Sequence, residues 1–116
     1  MKVKATREGL IGQKTSSGYV IDPYVSFVAL PSVHALHKFI LLSNPANGYS
    51  TYAEVLDVGP HYTDDDGYVF HGDRPKAETQ IVNGKPGNGA GIDLSDRVWK
   101  SLGMTDNTEV EWEFVI

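Results

Sequence analysis

The sequence predicts an all-β fold, a small barrel or sandwich with one short helix. Short apolar or β-branched runs recur along the chain, at 24–30, 36–43, 49–58 and 109–115. Turn-forming stretches separate them, namely SSG (16–18), NPANG (44–48), DDDG (64–67) and NGKPGNGAG (83–91). Only the segment around 95–102 carries a clear helical pattern. Many short strands with a single short helix are typical of these two architectures.

Two of the runs show how the strands are oriented. The run that follows NPANG places Ala53 and Val55 on one face, and Gly48 supplies the positive φ that a hairpin loop needs. The last run, EVEWEF at 109–114, alternates glutamates with apolar residues. This alternation predicts a half-buried strand with its aromatic side chains inward and its carboxylates in water.

The predicted helix lies within GIDLSDRVWKSLGM, residues 91–104. Ser95 is suited to cap the first turn, and Gly103 is suited to end the helix. Val98, Trp99 and Leu102 fall on one face at helical spacing. The sequence therefore predicts an amphipathic helix that packs on the sheet.

Length, composition and charge limit the function classes. At 116 residues the chain is expected to form one domain, 1–116, and the Gly-, Asp-, Asn- and Pro-rich segment 61–90 is expected to be a long loop insertion. The formal charge of −5 argues against nucleic acid or an anionic membrane as the partner. The absence of cysteine excludes disulfides and thiolate metal sites. No apolar run is long enough to span a bilayer, and residues 1–7 show no signal-peptide pattern.

Asp93 has the sharpest chemical environment among the acidic residues. It stands between Ile92 and Leu94, immediately before a helix that Ser95 already caps. Desolvation there would raise its pKa, as a general acid for glycosidic-bond cleavage requires. The other interpretation is that Asp93 only stabilises the positive end of the helix dipole. Local chemistry leaves both interpretations open.

Other polar residues give weaker signals. Asp57 ends a strong strand before a Gly-Pro turn, and Asp22 precedes Pro23, so both also fit as turn carboxylates. The DDDG stretch lacks the alternating ligands of a calcium loop and fits a solvated turn. The four histidines show no metal-ligand spacing, and the sequence contains no phosphate or dinucleotide motif. We therefore expect neither a metal nor a cofactor.

Three stretches in order resemble the RlpA-like (rare lipoprotein A) proteins. They are GQKTSSGYVID (12–22), LLSNPANGYSTYAEVLDVGP (41–60) and GIDLSDRVWKSLGM (91–104). The resemblance implies a six-stranded double-psi β-barrel, the fold that this family shares with expansins, barwin-like proteins and family-45 endoglucanases. It also implies a groove that binds polysaccharide, and some bacterial members cleave peptidoglycan as lytic transglycosylases.

By position, the resemblance assigns catalytic roles to Asp22, Asp57 and Asp93. Residues expected to bind the substrate are Thr15, Ser17, Tyr19, His34 and Tyr62. The implied partner is a glycan chain, peptidoglycan or a related β-1,4 polysaccharide. The family resemblance favours the cell envelope or the extracellular space, and we expect a monomer.

The chain departs from the family pattern at four places. Tyr19 replaces a Glu, Val58 replaces an Arg, and the stretch 27–36 has no His in register. The segment 61–90 is also longer than the usual link between the Gly-Pro and Ile-Asp-Leu-Ser motifs. These departures favour a polysaccharide-binding domain with weak or lost lytic transglycosylase activity. The alternatives are an active glycan-cleaving enzyme with Asp93 as general acid, and a structural or protein-interaction module of a phage or secretion particle.

Overall fold

Six strands close into a mixed β-barrel in the computed structural model, which describes residues 1–79, 81–82, 84–86, 88–106 and 108–115. The strands lie around the barrel in the order β1 (Lys2–Arg7), β7 (Ile92–Leu94), β2 (Phe27–Leu30), β4 (Ser50–Val58), β3 (Phe39–Ser43) and β8 (Glu109–Phe114). Two pairs, β1 with β7 and β2 with β4, are parallel, and the other four pairs are antiparallel. This architecture confirms the predicted six-stranded β-barrel.

The longest stretches between successive barrel strands are residues 8–26 and 59–91. The helices are α1 (Asp66–His71) and α2 (Asp96–Ser101), with 3₁₀ turns at Val33–Ala35 and Lys76–Thr79. A separate two-stranded sheet pairs β5 (Ile81–Val82) with β6 (Lys85–Pro86).

Two barrel strands were not predicted from the sequence. In β1, two buried residues, Val3 and Ala5, alternate with polar neighbours, which is too short an apolar pattern to stand out. Strand β7 has only three residues, and its sequence fits equally well a segment that leads into a helix. Both strands form because their neighbours in the barrel supply backbone partners on two sides.

The segment 61–90 contains more regular structure than a loop. It holds α1, the second 3₁₀ turn and the β5–β6 pair. The predicted turn at 83–91 lies partly outside the described residues, at positions 83 and 87. Tyr68 of α1 donates a hydrogen bond to the Gly91 carbonyl at 2.9 Å and accepts one from Trp112 Nε1 at 2.8 Å. These bonds fasten α1 to the barrel.

The main core fills the barrel, and a second cluster lies outside it. Fully buried residues such as Val28, Leu30 and Ile92 form the interior with α2 packed at one end. The outer cluster consists of Ile21, Phe27 and Leu56, with Tyr19 and Val25 packed against it. The chain before β2 therefore covers one part of the outer barrel surface. Within the described ranges, no helix is both long and apolar enough to cross a membrane.

Candidate functional site

A row of four in-register residues crosses adjacent strands on the outer face of the barrel. Thr6 of β1 pairs with Asp93 of β7, Asp93 pairs with Ala29 of β2, and Ala29 pairs with Asp57 of β4. Directly opposed residues on neighbouring strands project to the same side of a sheet. The small Ala29 side chain lies between the two aspartates and is itself buried, with 1% of its surface exposed.

A β-bulge in β4 puts Asp57 in this row. Val28 pairs with Val55, but the next residue, Ala29, pairs with Asp57, so Leu56 is extra. Without the extra residue, strict alternation would turn Asp57 to the same side as Val55, which is the barrel interior. The bulge therefore re-aims Asp57 outward, while Leu56 joins the outer cluster.

Glu8 completes a group of three acidic side chains that we call the carboxyl cluster (Glu8, Asp57 and Asp93). Its backbone N–H donates to the Leu94 carbonyl at 2.8 Å, which extends the β1–β7 pairing past the end of β1. The pKa of Glu8 is raised to about 9, first by burial and then by the hydrogen bond to Asp57 and the negative charges of Asp57 and Asp93. Glu8 is therefore a neutral carboxylic acid at pH 7.

The buried Oε2 atom of Glu8 supports the same protonation state. If Glu8 were ionised, this buried oxygen would have no hydrogen-bond donor to accept from within the described part of the chain. A carboxylate only accepts hydrogen bonds, whereas a protonated carboxyl also donates one. Protonated Glu8 can thus donate to Asp57, and the pair shares one proton between two acids.

Asp57 is the ionised member of that pair. Burial acts to raise its pKa, but hydrogen bonds from Glu8 and from the backbone N–H groups of Ser16 and Val58 outweigh burial, so the pKa is lowered. The Ser16 N–H lies 2.8 Å and the Val58 N–H lies 2.9 Å from Asp57 Oδ1. The loop that contains Ser16 is therefore anchored directly on the carboxyl cluster.

Asp93 has a raised pKa, mainly because it is buried. The Thr6 hydroxyl donates a hydrogen bond to Asp93 Oδ1, and this bond and the charge of His61 partly oppose the effect of burial. The charge of Asp57 raises the pKa further. The predicted desolvation of Asp93 thus agrees with its surroundings.

The turn after β4 forms one side of the site. Gly59 has φ of 148°, and a Cβ built on it would lie 4.0 Å from Asp93 Oδ2. A Cβ there would make only ordinary van der Waals contact with Asp93, so it is the positive φ that favours glycine at this position. His61 follows with a left-handed φ of 65°, which is uncommon outside glycine, and its Nε2 lies 3.3 Å from Asn88 Oδ1.

The predicted binding residues of the TSSG segment lie beside the cluster with their side chains turned to one another. Thr15 is buried, and its Oγ1 is 2.9 Å from Ser17 Oγ. The segment reaches Asp57 through the backbone of Ser16 instead. Tyr19 packs edge-on against Phe27 of the outer cluster, with ring centroids 5.7 Å apart.

The other three predicted residues make contacts elsewhere. Asp22 is exposed and accepts the Tyr24 N–H at 2.8 Å. His34 Nδ1 lies 2.8 Å from Asp66 Oδ2. Tyr62 is half-buried, and Lys76 Nζ lies 5.9 Å from the centre of its ring. The strand register and the electrostatic interactions thus place Asp57 and Asp93 in one group with Glu8. Asp22, His34 and Tyr62 have other partners.

Glu8 and His61 are the site residues that the sequence analysis missed. Glu8 lies two residues after Thr6, so it falls on the same side of an extended chain, and this spacing was the available signal. The signal is visible only when β1 is recognised as a strand. In the described portion of the chain, no group of three or more His, Cys, Asp or Glu residues is placed to hold a metal ion.

Comparisons with known proteins identify a family and a fold. A family model described as "Domain of unknown function (DUF8814)" matches residues 1–113. No curated protein matches the chain significantly. Among solved structures, the chain is similar to the "Streptomyces papain inhibitor (SPI)", with a TM-score of 0.57 and 19% sequence identity over 100% of this chain and 94% of that one. At this identity the likeness shows the barrel fold alone, and kinship with the RlpA-like proteins stays a prediction.

Proposed function

Because the chain belongs to the DUF8814 family, whose function is unknown, we propose a function from the chemistry of its own site. The domain binds a neutral or amino-sugar polysaccharide, of the β-1,4-linked peptidoglycan type, on the outer barrel face. The observation that carries this proposal is the carboxyl cluster, in which Glu8, Asp57 and Asp93 lie together on the outer face of the barrel, beside Thr6 and the buried Ala29.

The protonation states of the cluster suit sugar hydroxyl groups. The ionised Asp57 offers acceptor lone pairs, while protonated Glu8 donates its O–H to Asp57 and adds no further charge to the cluster. A sugar hydroxyl donates a hydrogen bond, so it can bind to the remaining lone pairs of Asp57. Anionic ligands would meet repulsion from Asp57, which favours neutral or partly cationic sugars. Hydrogen bonds to charged groups are also the stronger ones.

Weak cleavage of the glycan is part of the same proposal. Burial raises the pKa of Asp93, and a carboxylic acid with a raised pKa can protonate the leaving oxygen of a glycosidic bond. In a lytic transglycosylase a hydroxyl of the substrate closes the ring, so one acid/base group can suffice. The resemblance to RlpA-like proteins supports this role, while Tyr19 and Val58 at the positions of the family Glu and Arg argue for low activity.

Binding is tested by co-sedimentation with purified peptidoglycan, and with chitin and cellulose as related β-1,4 glycans. We expect Asp57→Asn to weaken binding roughly tenfold, since it removes a charge-assisted acceptor. Asp64→Asn is the matched control, because Asp64 is exposed and its nearest cation, Lys76, lies 3.8 Å away. The proposal is supported if wild type and Asp64→Asn bind the glycan and Asp57→Asn binds it more weakly.

Cleavage is tested by measuring the soluble fragments released from the same peptidoglycan. Release by wild type that Asp93→Asn abolishes would assign the active lytic enzyme with Asp93 as general acid. Binding without release would assign the non-catalytic domain. Failure to bind any of the glycans overturns the proposal. Inhibition of papain in that case would favour the protein-interaction alternative, which the structural similarity to a papain inhibitor suggests.

A further inference from the structure

An apolar depression lies on the surface between α1 and the adjoining ends of β3 and β8, away from the carboxyl cluster. Its lining residues are His37, Lys38, Phe39, Phe70, Phe114 and Val115, and we call it the aromatic depression. Its volume of about 620 Å³ falls in the range of small-molecule sites. We propose that the aromatic depression binds a small amphipathic anion, a flat aromatic ring that carries a carboxylate or a similar acid group.

The aromatic walls are exposed although they are large and apolar. Phe39 is 54% exposed and Val115 is 45% exposed, while Phe70 lies at the opposite wall with 37% of its surface accessible. Single exposed apolar residues are ordinary on protein surfaces, but several that line one concavity mark a binding site. A flat apolar ligand would remove this surface from water.

The walls are held in place before any ligand binds. The rings of Phe70 and Phe114 stack with centroids 5.3 Å apart and an interplanar angle of 9°. Trp112 packs edge-on against Phe114 at 5.1 Å. The Val115 N–H donates to the Phe39 carbonyl at 2.9 Å, which ties the two remaining walls together. A preformed site loses little conformational entropy on binding.

The charge at the rim indicates an anionic ligand. Both ionisable residues that line the depression, His37 and Lys38, are basic, although the whole chain has a formal charge of −5. Within the described residues Lys38 has no ion-pair partner, whereas His37 Nδ1 lies 3.3 Å from Glu54 Oε2. Glu113 is the nearest acidic neighbour along β8, but it lines other surface depressions and not this one. Lys38 is therefore the cation that is free to meet an acid group of the ligand.

The test compares two fluorescent probes that share one aromatic skeleton. The anion 1-anilinonaphthalene-8-sulfonate carries an acid group, and N-phenyl-1-naphthylamine is its neutral counterpart. We expect the folded wild type to bind the anion more tightly than the neutral probe. Lys38→Gln should weaken only the anion, by roughly two- to fivefold, as expected for an exposed charge pair. Lys14→Gln, an exposed lysine elsewhere, is the matched control.

A second set of variants tests the aromatic walls. Phe70→Ala should weaken both probes roughly tenfold, because it removes one half of the stacked pair. Phe70→Leu removes the aromatic ring but keeps an apolar side chain, so it controls for unfolding of α1 in Phe70→Ala. Near-ultraviolet circular dichroism checks that both variants are folded. Tyr24→Ala, which alters an aromatic side chain that is 82% exposed at another place, should change neither probe.

Three outcomes would overturn the proposal. Neither probe binds, or the two probes bind equally and Lys38→Gln leaves their ratio unchanged. In the third outcome, sedimentation shows a dimer that Phe70→Ala dissociates, which would make the depression an interface between two copies of the chain. Because Lys38 and Phe70 lie outside the carboxyl cluster, failure of polysaccharide binding there would not affect the result.

Discussion

The protonation state of a single residue, Glu8, sets the chemistry of the candidate site. The sequence analysis grouped Asp57 and Asp93 with Asp22 as the acidic residues of the site. The structure places Glu8 beside Asp57 and gives Asp22 a local turn bond to the Tyr24 N–H. An Asp followed by Pro forms such a turn wherever the fold puts it, so the motif alone does not show its neighbours.

The raised pKa of Glu8 makes stability depend on pH. The folded chain keeps a proton on Glu8 up to about pH 9, whereas the unfolded chain releases it near the ordinary value of 4.5. The contribution of protonated Glu8 to the free energy of unfolding is therefore fully present below pH 4.5 and is lost as the pH rises towards 9. Glu8→Gln, which cannot ionise, should escape this loss.

Relative to Glu8→Gln, wild type should lose about 1–2 kcal/mol of unfolding free energy between about pH 5 and pH 9. This is a fraction of the free energy that corresponds to the full pKa shift of Glu8, because the site is partly open to water, which screens charges. Urea unfolding at several pH values measures this difference, and carboxyl ¹³C NMR should show the Glu8 titration near pH 9. Glu111→Gln, an exposed glutamate of β8, is the control. Parallel stability curves for wild type and Glu8→Gln would contradict the assignment.

Among the elements, α2 shows how a local signal acquires a tertiary role. Its N-cap, Ser95, was predicted from the sequence, and its Oγ accepts the Val98 N–H at 3.3 Å. The same Oγ accepts the Phe27 N–H at 3.1 Å and donates to the Val25 carbonyl at 3.1 Å. Ser95 is thus both a cap and a link between α2 and the start of β2.

The far end of α2 also depends on a distant loop. The side-chain amides of Asn44 and Asn47 donate to the Leu102 carbonyl at 2.9 Å and 3.0 Å. The sequence predicted NPANG as a hairpin loop between β3 and β4, and it does connect these strands. Its second role, capping the last turn of α2, depends on the barrel bringing the loop and the helix together.

We predict that Ser95→Ala lowers the free energy of unfolding by about 2–3 kcal/mol, more than the ~1 kcal/mol typical of a lost cap. The reason is that it leaves the buried Phe27 N–H and Val25 carbonyl without their partner. Urea denaturation followed by Trp fluorescence measures the change. Ser50→Ala, at an exposed position in β4, should stay within about 0.5 kcal/mol of wild type. A loss for Ser95→Ala no larger than that of an ordinary cap would show that the link to β2 contributes nothing.

At the scale of the whole molecule, β1 and β8 close the barrel. β8 pairs with β1 on one side and with β3 on the other, so the first and last strands depend on each other. Because these pairings join residues far apart in the chain, they form only when the whole barrel does. The barrel is therefore expected to unfold in one cooperative transition.

Deletion of residues 109–116 should abolish cooperative unfolding, since it leaves the edges of β1 and β3 unpaired and exposes the core. Urea unfolding followed by far-ultraviolet circular dichroism and by Trp99 fluorescence measures the loss. The control replaces Glu109, Glu111 and Glu113 by Gln, which keeps β8 and changes only its outward side chains. A truncated chain with a cooperative transition at the wild-type midpoint would disprove the closing role of β8.

The sequence by itself determined the all-β class, the strands of the central and final runs, and α2 with its Ser95 cap. These features depend on alternation, turn residues and capping, which act over a few neighbouring residues. Only the tertiary structure decided which acids meet. Glu8 reaches Asp57 because β1 lies beside β7, and Asp57 faces outward because one extra residue, Leu56, shifts the register of β4. Strand order and a bulge are properties of pairing between distant segments, so no local pattern in the chain encodes them.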